Sequence, residues 1–270
     1  MPELPEVEAV CQKLNEARII GKRIVSVRFQ RPGIALPQVA SEIEAAVEGR
    51  IVRRIERRAK NVLLYLSGGL VLRVHLRMTG NLIVIPDVRF GPADARASFE
   101  FSGHRALIFE DARALGRIHL HTTSELRRLL APLGPEPLSA EFTFEWLREA
   151  AAQSRKPAKL FLMDQNSLAG LGNIYAAEAL FHAGVNPAKP MNRLREAKIQ
   201  RLHRSIVRVL NDAVQSACKA YSGPAQFSEA EVFSCFVYDR EGDPCLVCRR
   251  KVRRIRQGGR STYYCPGCQT

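Results

Sequence analysis

A chain of 270 residues has room for about two domains of ordinary size, and a 46% apolar share is enough to fill their cores. Lys and Arg number 41 against 27 Asp and Glu, leaving a formal charge of +14 that selects polyanionic partners, nucleic acid or an anionic surface. No apolar run approaches the ~18 residues of a membrane span. The opening Met1-Pro2-Glu3-Leu4-Pro5-Glu6 is acidic and proline-punctuated, unlike a secretory n-region or an Arg-rich transit peptide. The expectation is therefore an intracellular protein of the cytoplasm or nucleoid that binds a polyanion and no membrane.

In chain order, the first predicted element is a helix from about Pro5 to Arg18. Val7, Val10, Cys11, Leu14 and Ala17 recur at three- and four-residue spacings, and Gly21 follows as a stop. The period then changes to two. Val25, Val27 and Phe29 alternate with polar residues. Val62–Leu66 and Leu70–Leu76 flank Ser67-Gly68-Gly69 as a hairpin, and Ser98–Phe101 and Ala106–Phe109 flank a second turn at Ser102-Gly103. Short strands at this spacing behind one helix predict a β-sandwich or flattened barrel ending near residue 122. Pro132-Leu133-Gly134-Pro135-Glu136-Pro137 continues neither helix nor central strand and marks a boundary. Helices are predicted beyond it at Glu141–Ala152, Pro157–Asp164, Asn173–Ala183 and about Leu194–Ala220, before short strands return around the cysteines. The predicted organisation is 1–131, a β-rich domain; 132–230, a helical domain; and 231–270, a metal ribbon.

Four of the seven cysteines form the pairs Cys245-x2-Cys248 and Cys265-x2-Cys268. Two such turns separated by a hairpin-length stretch fit one tetrahedral zinc bound by four thiolates. With no open position, that zinc is structural. Cys11, Cys218 and Cys235 stand alone in apolar surroundings and are read as small hydrophobes. Between the zinc pairs, Arg249, Arg250, Lys251, Arg253, Arg254, Arg256 and Arg260 include no acid. A solvated face normally mixes signs, so this hairpin is read as facing phosphates, with Gly258-Gly259 as its tip before Arg260.

Leu168-Ala169-Gly170-Leu171-Gly172-Asn173 ends in glycine and asparagine at a helix start, where an anion or an ordinary cap is served equally well. Beside the +14 charge and the arginine ribbon, phosphate binding is the preferred reading. The start of the chain is the sharpest feature. Removal of Met1, an assumption here, exposes Pro2 as a secondary amine that can attack a sugar carbon and form an iminium electron sink. The adjacent Glu3 is placed to shuttle the proton that sugar-ring opening requires. Glu6 admits two readings, a carboxylate complementing the helix dipole or a group supporting the chemistry.

These residues together resemble the formamidopyrimidine-DNA glycosylase family, which shares its fold with the endonuclease VIII branch. The match spans essentially the whole chain. It is carried by the opening PELPEVE, by Arg57-Arg58-Ala59-Lys60, by His75-Leu76-Arg77-Met78-Thr79-Gly80, by Leu171-Gly172-Asn173-Ile174-Tyr175, and by the segment from Gly258 to Cys265. The resemblance implies an α+β fold of two domains. The first is an antiparallel β-sandwich with a leading catalytic helix; the second combines a helix–two-turn–helix motif with a β-hairpin zinc ribbon. It also implies a base excision repair enzyme, a bifunctional DNA glycosylase and abasic-site lyase acting by β,δ-elimination on double-stranded DNA that contains an oxidised base or abasic site.

On that pattern Pro2 is the nucleophile, Glu3 the general acid/base, and Lys60, expected on the strand after the basic run, holds the lesion's phosphate and assists proton transfer. Glu6 supports them. Asn173 and Arg260 grip phosphates around the flipped nucleotide, while Met78, Arg113 and Leu115 fill the gap it leaves. One structural zinc and a monomer complete the expectation. Two departures stand out. Leu115 replaces the usual phenylalanine wedge. The stretch from Tyr221-Ser222-Gly223 to Val237-Tyr238 is shorter than the segment that caps 8-oxoguanine, and Asp239 replaces a glycine after it. The preferred lesion is accordingly open among formamidopyrimidines, hydantoins and 8-oxoguanine. Two alternatives are an endonuclease VIII-like preference for oxidised pyrimidines, and a non-catalytic zinc-ribbon protein that only binds damaged DNA. His75 is read as structural and Trp146 as a core residue of the helical domain.

Overall fold

A computed structural model describes residues 2–220 and 233–270. They form two compact units, 2–132 with 214–220, and 133–213 with 233–270.

The first unit opens with helix α1 (Leu4–Glu16), then strand β1 (Ile24–Arg28) and helix α2 (Ala40–Val47). Seven strands follow: β2 (Val52–Arg58), β3 (Asn61–Leu66), β4 (Leu70–His75), β5 (Gly80–Ile85), β6 (Ala95–Phe101), β7 (Ala106–Asp111) and β8 (Arg117–Thr122), and helix α3 (Thr123–Leu130) closes the unit. The strands make two antiparallel sheets of four, β1-β6-β7-β5 and β2-β3-β4-β8, so the sandwich alternative holds over the flattened barrel. Their facing side chains, among them Val62, Leu64, Leu72, Val74, Phe99 and Phe109, share one core with Val7, Val10, Cys11 and Leu14 of α1. The apolar stripe of the first helix thus finds the partner its spacing demanded. Cys11 is buried there and its thiol is pushed up by desolvation, in keeping with a small hydrophobe.

Several elements differ from the sequence reading. Helix α1 ends at Glu16, because Arg18 takes a left-handed φ of 54° before Gly21 is reached. Strand β2 was hidden because it carries only two apolar side chains among arginines, and a register shift between Val52 and Arg54 breaks its alternation. Strand β7 is buried at every position. Leu107 and Phe109 join the main core, while Ala106 and Ile108 pack with Ile83 of β5 in a second small cluster. Helix α3 starts at a capping box in which Thr122 accepts from the Glu125 N–H and Glu125 from the Thr122 N–H.

The second unit contains α4 (Phe144–Ala152), α5 (Ala158–Met163), α6 (Asn173–Ala183), most of α7 (Glu196–Ala220) and the hairpin β9 (Arg253–Gln257) and β10 (Arg260–Tyr264). Helix α4 begins later than expected because Thr143 caps it, accepting from the Trp146 N–H at 3.1 Å. Trp146 is half-buried beside Phe142, with ring centroids 5.8 Å apart, and does not sit in the core. Helix α6 starts where its sequence signal placed it and ends at Gly184 with φ 65°. It is buried at nearly every position, and Ala177 and Phe181 pack against Val237, Val252 and Tyr263, which seats the ribbon on this helix.

Candidate active site

Helix α1 delivers the first residues of interest. Pro2 is buried, and Glu3 is the N-cap of α1 in extended conformation. Glu3 and Glu6 form a capping box, and the Glu6 carboxylate accepts the Glu3 N–H at 2.8 Å. Both carboxylates are withdrawn from solvent, at 1% and 3% exposure, and lie where the positive end of the helix favours negative charge. The two readings of Glu6 therefore meet in one group: it caps the helix, and by doing so fixes the peptide that follows Pro2.

Lys60 does not lie on a strand. It occupies the β2–β3 turn, beside Ala59 at φ 52°. The preceding strand is fastened to α1 by Arg57, whose Nε donates to Glu8 Oε2 at 2.7 Å while Nη1 donates to the Ala59 carbonyl at 3.1 Å. Asn61 Nδ2 closes the turn on the Arg58 carbonyl at 3.1 Å. One ion pair thus anchors the loop of Lys60 to the helix that presents Pro2 and Glu3. His75, at the end of β4, accepts the Arg77 N–H on Nδ1. Burial first, then Arg77, Arg73 and Lys60, hold its pKa down to about 4, so it is neutral at ordinary pH and fits the structural reading.

Met78, Arg113 and Leu115 are brought together on two neighbouring loops. All three are exposed, the two apolar ones by 41% and 40%. Beneath them Asp111 is fully buried and holds both loops. One carboxylate oxygen accepts from Thr79 Oγ1 and from the Arg113 N–H, and the other accepts from the Gly116 N–H at 2.7 Å. Arg96 clasps the same loop from outside, donating to the carbonyls of Asp111 and Ala112. Gly80 and Gly116 pack so closely on the Phe109 ring that an added Cβ would come within 2.9 and 2.3 Å of it. Thr79 and Asp111 were not singled out from the sequence, although Thr79 lies in the stretch His75–Gly80 that carries the family resemblance and Asp111 stands two residues before Arg113.

In the second unit, α5 gathers the two expected phosphate grips. Lys159 is fully buried, and its Nζ donates to the Asn173 carbonyl at 2.6 Å. The neighbouring Leu160 lies so near the ribbon tip that a Cβ on Gly258, at φ 54°, would come within 2.9 Å of it. Helix α5 thus touches the start of α6 at Asn173 and the ribbon tip at Gly258, two residues before Arg260. Asn173 Oδ1 is buried without a hydrogen-bond partner among the described residues, an acceptor open to a donor, while a phosphate would be met by its Nδ2. Glu178, fully buried in α6, accepts the N–H groups of Phe236, Val237 and Tyr238 at 2.8 to 3.0 Å and ties the segment entering the ribbon to the helix. Burial pushes its carboxyl up, and those three donors followed by Lys159 pull it back. A lysine in Ala-Lys-Leu-Phe-Leu-Met and a glutamate in Ile-Tyr-Ala-Ala-Glu-Ala-Leu-Phe were the available signals, each a charge inside an apolar run.

The four sulfurs of Cys245, Cys248, Cys265 and Cys268 lie within 4.8 Å of one another, with Cys245–Cys268 at 3.8 Å and Cys248–Cys265 at 3.4 Å. A tetrahedron of Zn–S bonds of ~2.3 Å has edges of roughly 3.8 Å, so the residues fit one structural zinc. All seven cationic residues between the two cysteine pairs are exposed. Arg254 alone among them has an ion pair, with Glu241 at 2.8 Å, among the described residues.

The family models match along the chain in the same order. Residues 1–118 match the formamidopyrimidine-DNA glycosylase N-terminal domain, 133–222 the H2TH domain of that enzyme, and 242–270 a zinc finger found in this glycosylase and in isoleucyl-tRNA synthetase. A formamidopyrimidine-DNA glycosylase of Chloroflexus aurantiacus is 39% identical over 275 residues, covering all of this chain and 98% of its own. The chain belongs to the formamidopyrimidine-DNA glycosylase family. Another member, from Streptococcus pneumoniae, is 36% identical across 100% of this chain and 99% of its own. Among solved structures, two Lactococcus lactis complexes, one with abasic-site DNA and one with DNA containing Fapy-dG, superpose with TM-scores of 0.87 at 30% and 31% identity, covering 99% of both chains.

Within the family frame, the second departure falls at Asp239 and in the segment before it. Asp239 takes φ 56°, the left-handed conformation that suits a glycine, and its carboxylate accepts the Tyr263 hydroxyl at 3.1 Å. An aspartate tolerates this region better than most residues, so the turn is kept without glycine. The stretch read as a shortened cap falls for the most part on residues 221–232, outside the described residues.

Proposed function

We propose that this chain excises an oxidised base from duplex DNA and cleaves the resulting abasic site through a Schiff base on Pro2. Membership of the formamidopyrimidine-DNA glycosylase family supplies the reaction class. The observation that carries the assignment to residues is the start of α1, where Pro2 and Glu3 are buried at the positive end of the helix and Glu6 holds the backbone between them and the first turn. Free of Met1, the Pro2 nitrogen attacks C1′ of the damaged nucleoside. The bond from C1′ to the base breaks, and the base leaves with a proton. Glu3 protonates the ring oxygen as the sugar opens, and the nitrogen lone pair closes the iminium. Loss of a C2′ proton then expels the 3′ phosphate, and a second elimination expels the 5′ phosphate.

Lys60, held to α1 through Arg57 and Glu8, contacts the lesion's phosphate in this reading. Asn173 and Arg260 grip neighbouring phosphates, while Met78, Arg113 and Leu115 fill the space vacated by the flipped nucleotide, whose extraction costs a few kcal/mol. The zinc supplies fold, with no step routed through it. Among the described residues no helix is long and apolar enough to cross a membrane. The site of action follows from the substrate, the intracellular DNA.

The test is borohydride trapping of Met-free protein on labelled duplexes carrying 8-oxoguanine, a formamidopyrimidine, a hydantoin, dihydrouracil or an abasic site. An adduct at the abasic site is expected, and Pro2→Gly should abolish it while leaving binding intact. Absence of an adduct at the abasic site in the unmutated protein would overturn the Pro2 mechanism in favour of a binding-only protein. The pattern across the other duplexes assigns the lesion, and trapping on dihydrouracil alone among the damaged bases would favour the pyrimidine-preferring alternative.

A further inference from the structure

The outer face of the sheet β2-β3-β4-β8 carries groups that the base-excision chemistry does not use. Strand register sets three rows across it: Arg58–Asn61–His75–Arg117, then Glu56–Leu63–Arg73–His119, then Arg54–Tyr65–Val71–His121. Leu126 of α3 packs on Leu63 and Val71 at one side of this face. Arg73, in the middle row, is partly buried, yet among the described residues its guanidinium meets only neutral groups. Nη2 lies 2.8 Å from His119 Nδ1 and Nη1 lies 3.4 Å from Asn61 Oδ1, while Nε is buried with no hydrogen-bond partner among the described residues.

The two histidines of β8 are neutral partners. His119 Nε2 donates to the Leu36 carbonyl at 2.8 Å, which leaves Nδ1 as the acceptor that Arg73 meets. His121, with its ring centroid 6.2 Å from that of His119, also has a buried Nε2 without a partner among the described residues. Burial, with Arg73 as a contributor, depresses both rings, so neither adds a proton to the arginine's charge at neutral pH. The acids of this face are engaged elsewhere. Glu56 pairs with Arg54 at 3.3 Å, and Glu125 accepts the Thr122 N–H at 2.8 Å in the cap of α3. Among the described residues Arg73 therefore holds a largely desolvated positive charge with no carboxylate against it, a costly arrangement that a bound anion relieves.

We propose that Arg73 and His121, with His119 as the residue that positions the guanidinium, form a binding site for a phosphate-class anion on the outer face of the first unit. Arg73 Nε and a His121 Nε2–H supply two donors, and the guanidinium supplies the charge. Along the strands, Arg73 is one row, roughly 7 Å at ~3.4 Å per residue, and His121 two rows from the strand ends that flank Lys60. The anion is either a backbone phosphate of bound DNA, which rests on the function proposed above, or a free phosphate ion.

The test compares the unmutated protein with Arg73→Leu and His121→Phe. One measurement is the salt dependence of binding to a duplex carrying a tetrahydrofuran abasic analogue. The other is the melting temperature in chloride and in inorganic phosphate at equal ionic strength. If the ligand is a DNA phosphate, Arg73→Leu weakens binding several-fold at ~0.1 M salt and makes the log–log slope shallower by about 1, with trapping at saturating enzyme unchanged. If the ligand is a free ion, the slopes agree but phosphate raises the melting temperature of the unmutated protein alone. Equal slopes together with equal phosphate shifts in all three proteins would overturn the site. Should Arg73→Leu fail to fold, His121→Phe, which keeps the guanidinium and therefore the slope, decides by weaker duplex binding at ~0.1 M salt in the first case and by a smaller phosphate shift in the second, and no change in either overturns the site. The phosphate arm does not depend on the lyase chemistry, so failure of trapping in the unmutated protein is distinguishable from failure of this site.

Discussion

Glu6 and His75 show how single side chains in this unit serve the backbone and the electrostatics together. Glu6 holds the N–H of Glu3, so its carboxylate orders the peptide on which the proposed nucleophile is mounted. His75 is kept neutral by burial among Arg77, Arg73 and Lys60, with a pKa near 4. In the unfolded chain a histidine takes up its proton near pH 6.5, so between about 6.5 and 4 the unfolded state binds more protons than the folded one. Stability is then complete above pH 6.5 and falls as the pH drops toward 4, by up to about 3 kcal/mol from this one group. Calorimetry across that window should record the fall, and His75→Gln should reduce it. A second prediction concerns Glu3. Replacement by Gln should slow base release by roughly 10² to 10⁴ as a general acid/base is lost, measured in single turnover with excess enzyme. Residue identities at these positions were legible in the sequence because few side chains can do such chemistry. The depression of His75 was not, since it depends on which cations the sheet register brings beside it.

Among the elements, the loop from Asp111 to Gly116 depends on one buried carboxylate. Asp111 satisfies the N–H groups of Arg113 and Gly116 and accepts from Thr79, next to Met78. Asp111→Ala leaves those donors unsatisfied, at about 1–3 kcal/mol for each buried group. The expected result is a lower melting temperature together with impaired flipping, read by 2-aminopurine fluorescence opposite or beside the lesion. Thr79→Val should reproduce part of the effect, whereas an Asp111→Ala protein with normal flipping would show that the two loops act independently. Periodicity made α1, α6 and the two glycine hairpins visible, because each has an unbroken apolar pattern and a turn signal. It could not reveal β2, whose arginines outnumber its apolar residues, or the turn position of Lys60, which is set by the Arg57 anchor to Glu8 and Ala59.

Over the whole molecule, charge and zinc separate two contributions to DNA binding. Each neutralised phosphate releases about 0.9 counterion, so affinity should fall steeply and linearly on a log–log scale as salt rises. The ribbon carries six exposed cationic residues outside the Arg254–Glu241 pair, and its inner side packs on α6 through Val237, Val252 and Tyr263. Removal of zinc by a chelator should unfold the ribbon, because four thiolates brought together without a metal have no other source of binding energy. The expected readout is loss of DNA affinity and a shallower salt slope, while the β-sandwich unit, which has its own core, keeps its sheet signal by circular dichroism. Retained affinity after complete metal removal would count against the ribbon as a phosphate-facing surface.

By itself the sequence determined the order of domains, the zinc ligands and the polyanionic partner, and it nominated the residues proposed for Schiff-base chemistry. Those properties follow from composition, local spacing and side-chain type, which do not depend on distant parts of the chain. Tertiary structure decided the rest. It placed Asp111 under two loops, Lys159 beneath Asn173, Glu178 under the segment entering the ribbon, and Arg73 beside His119 and His121. Each of these is a polar group taken out of water, and its partners are chosen by sheet register and helix packing between residues far apart in the chain.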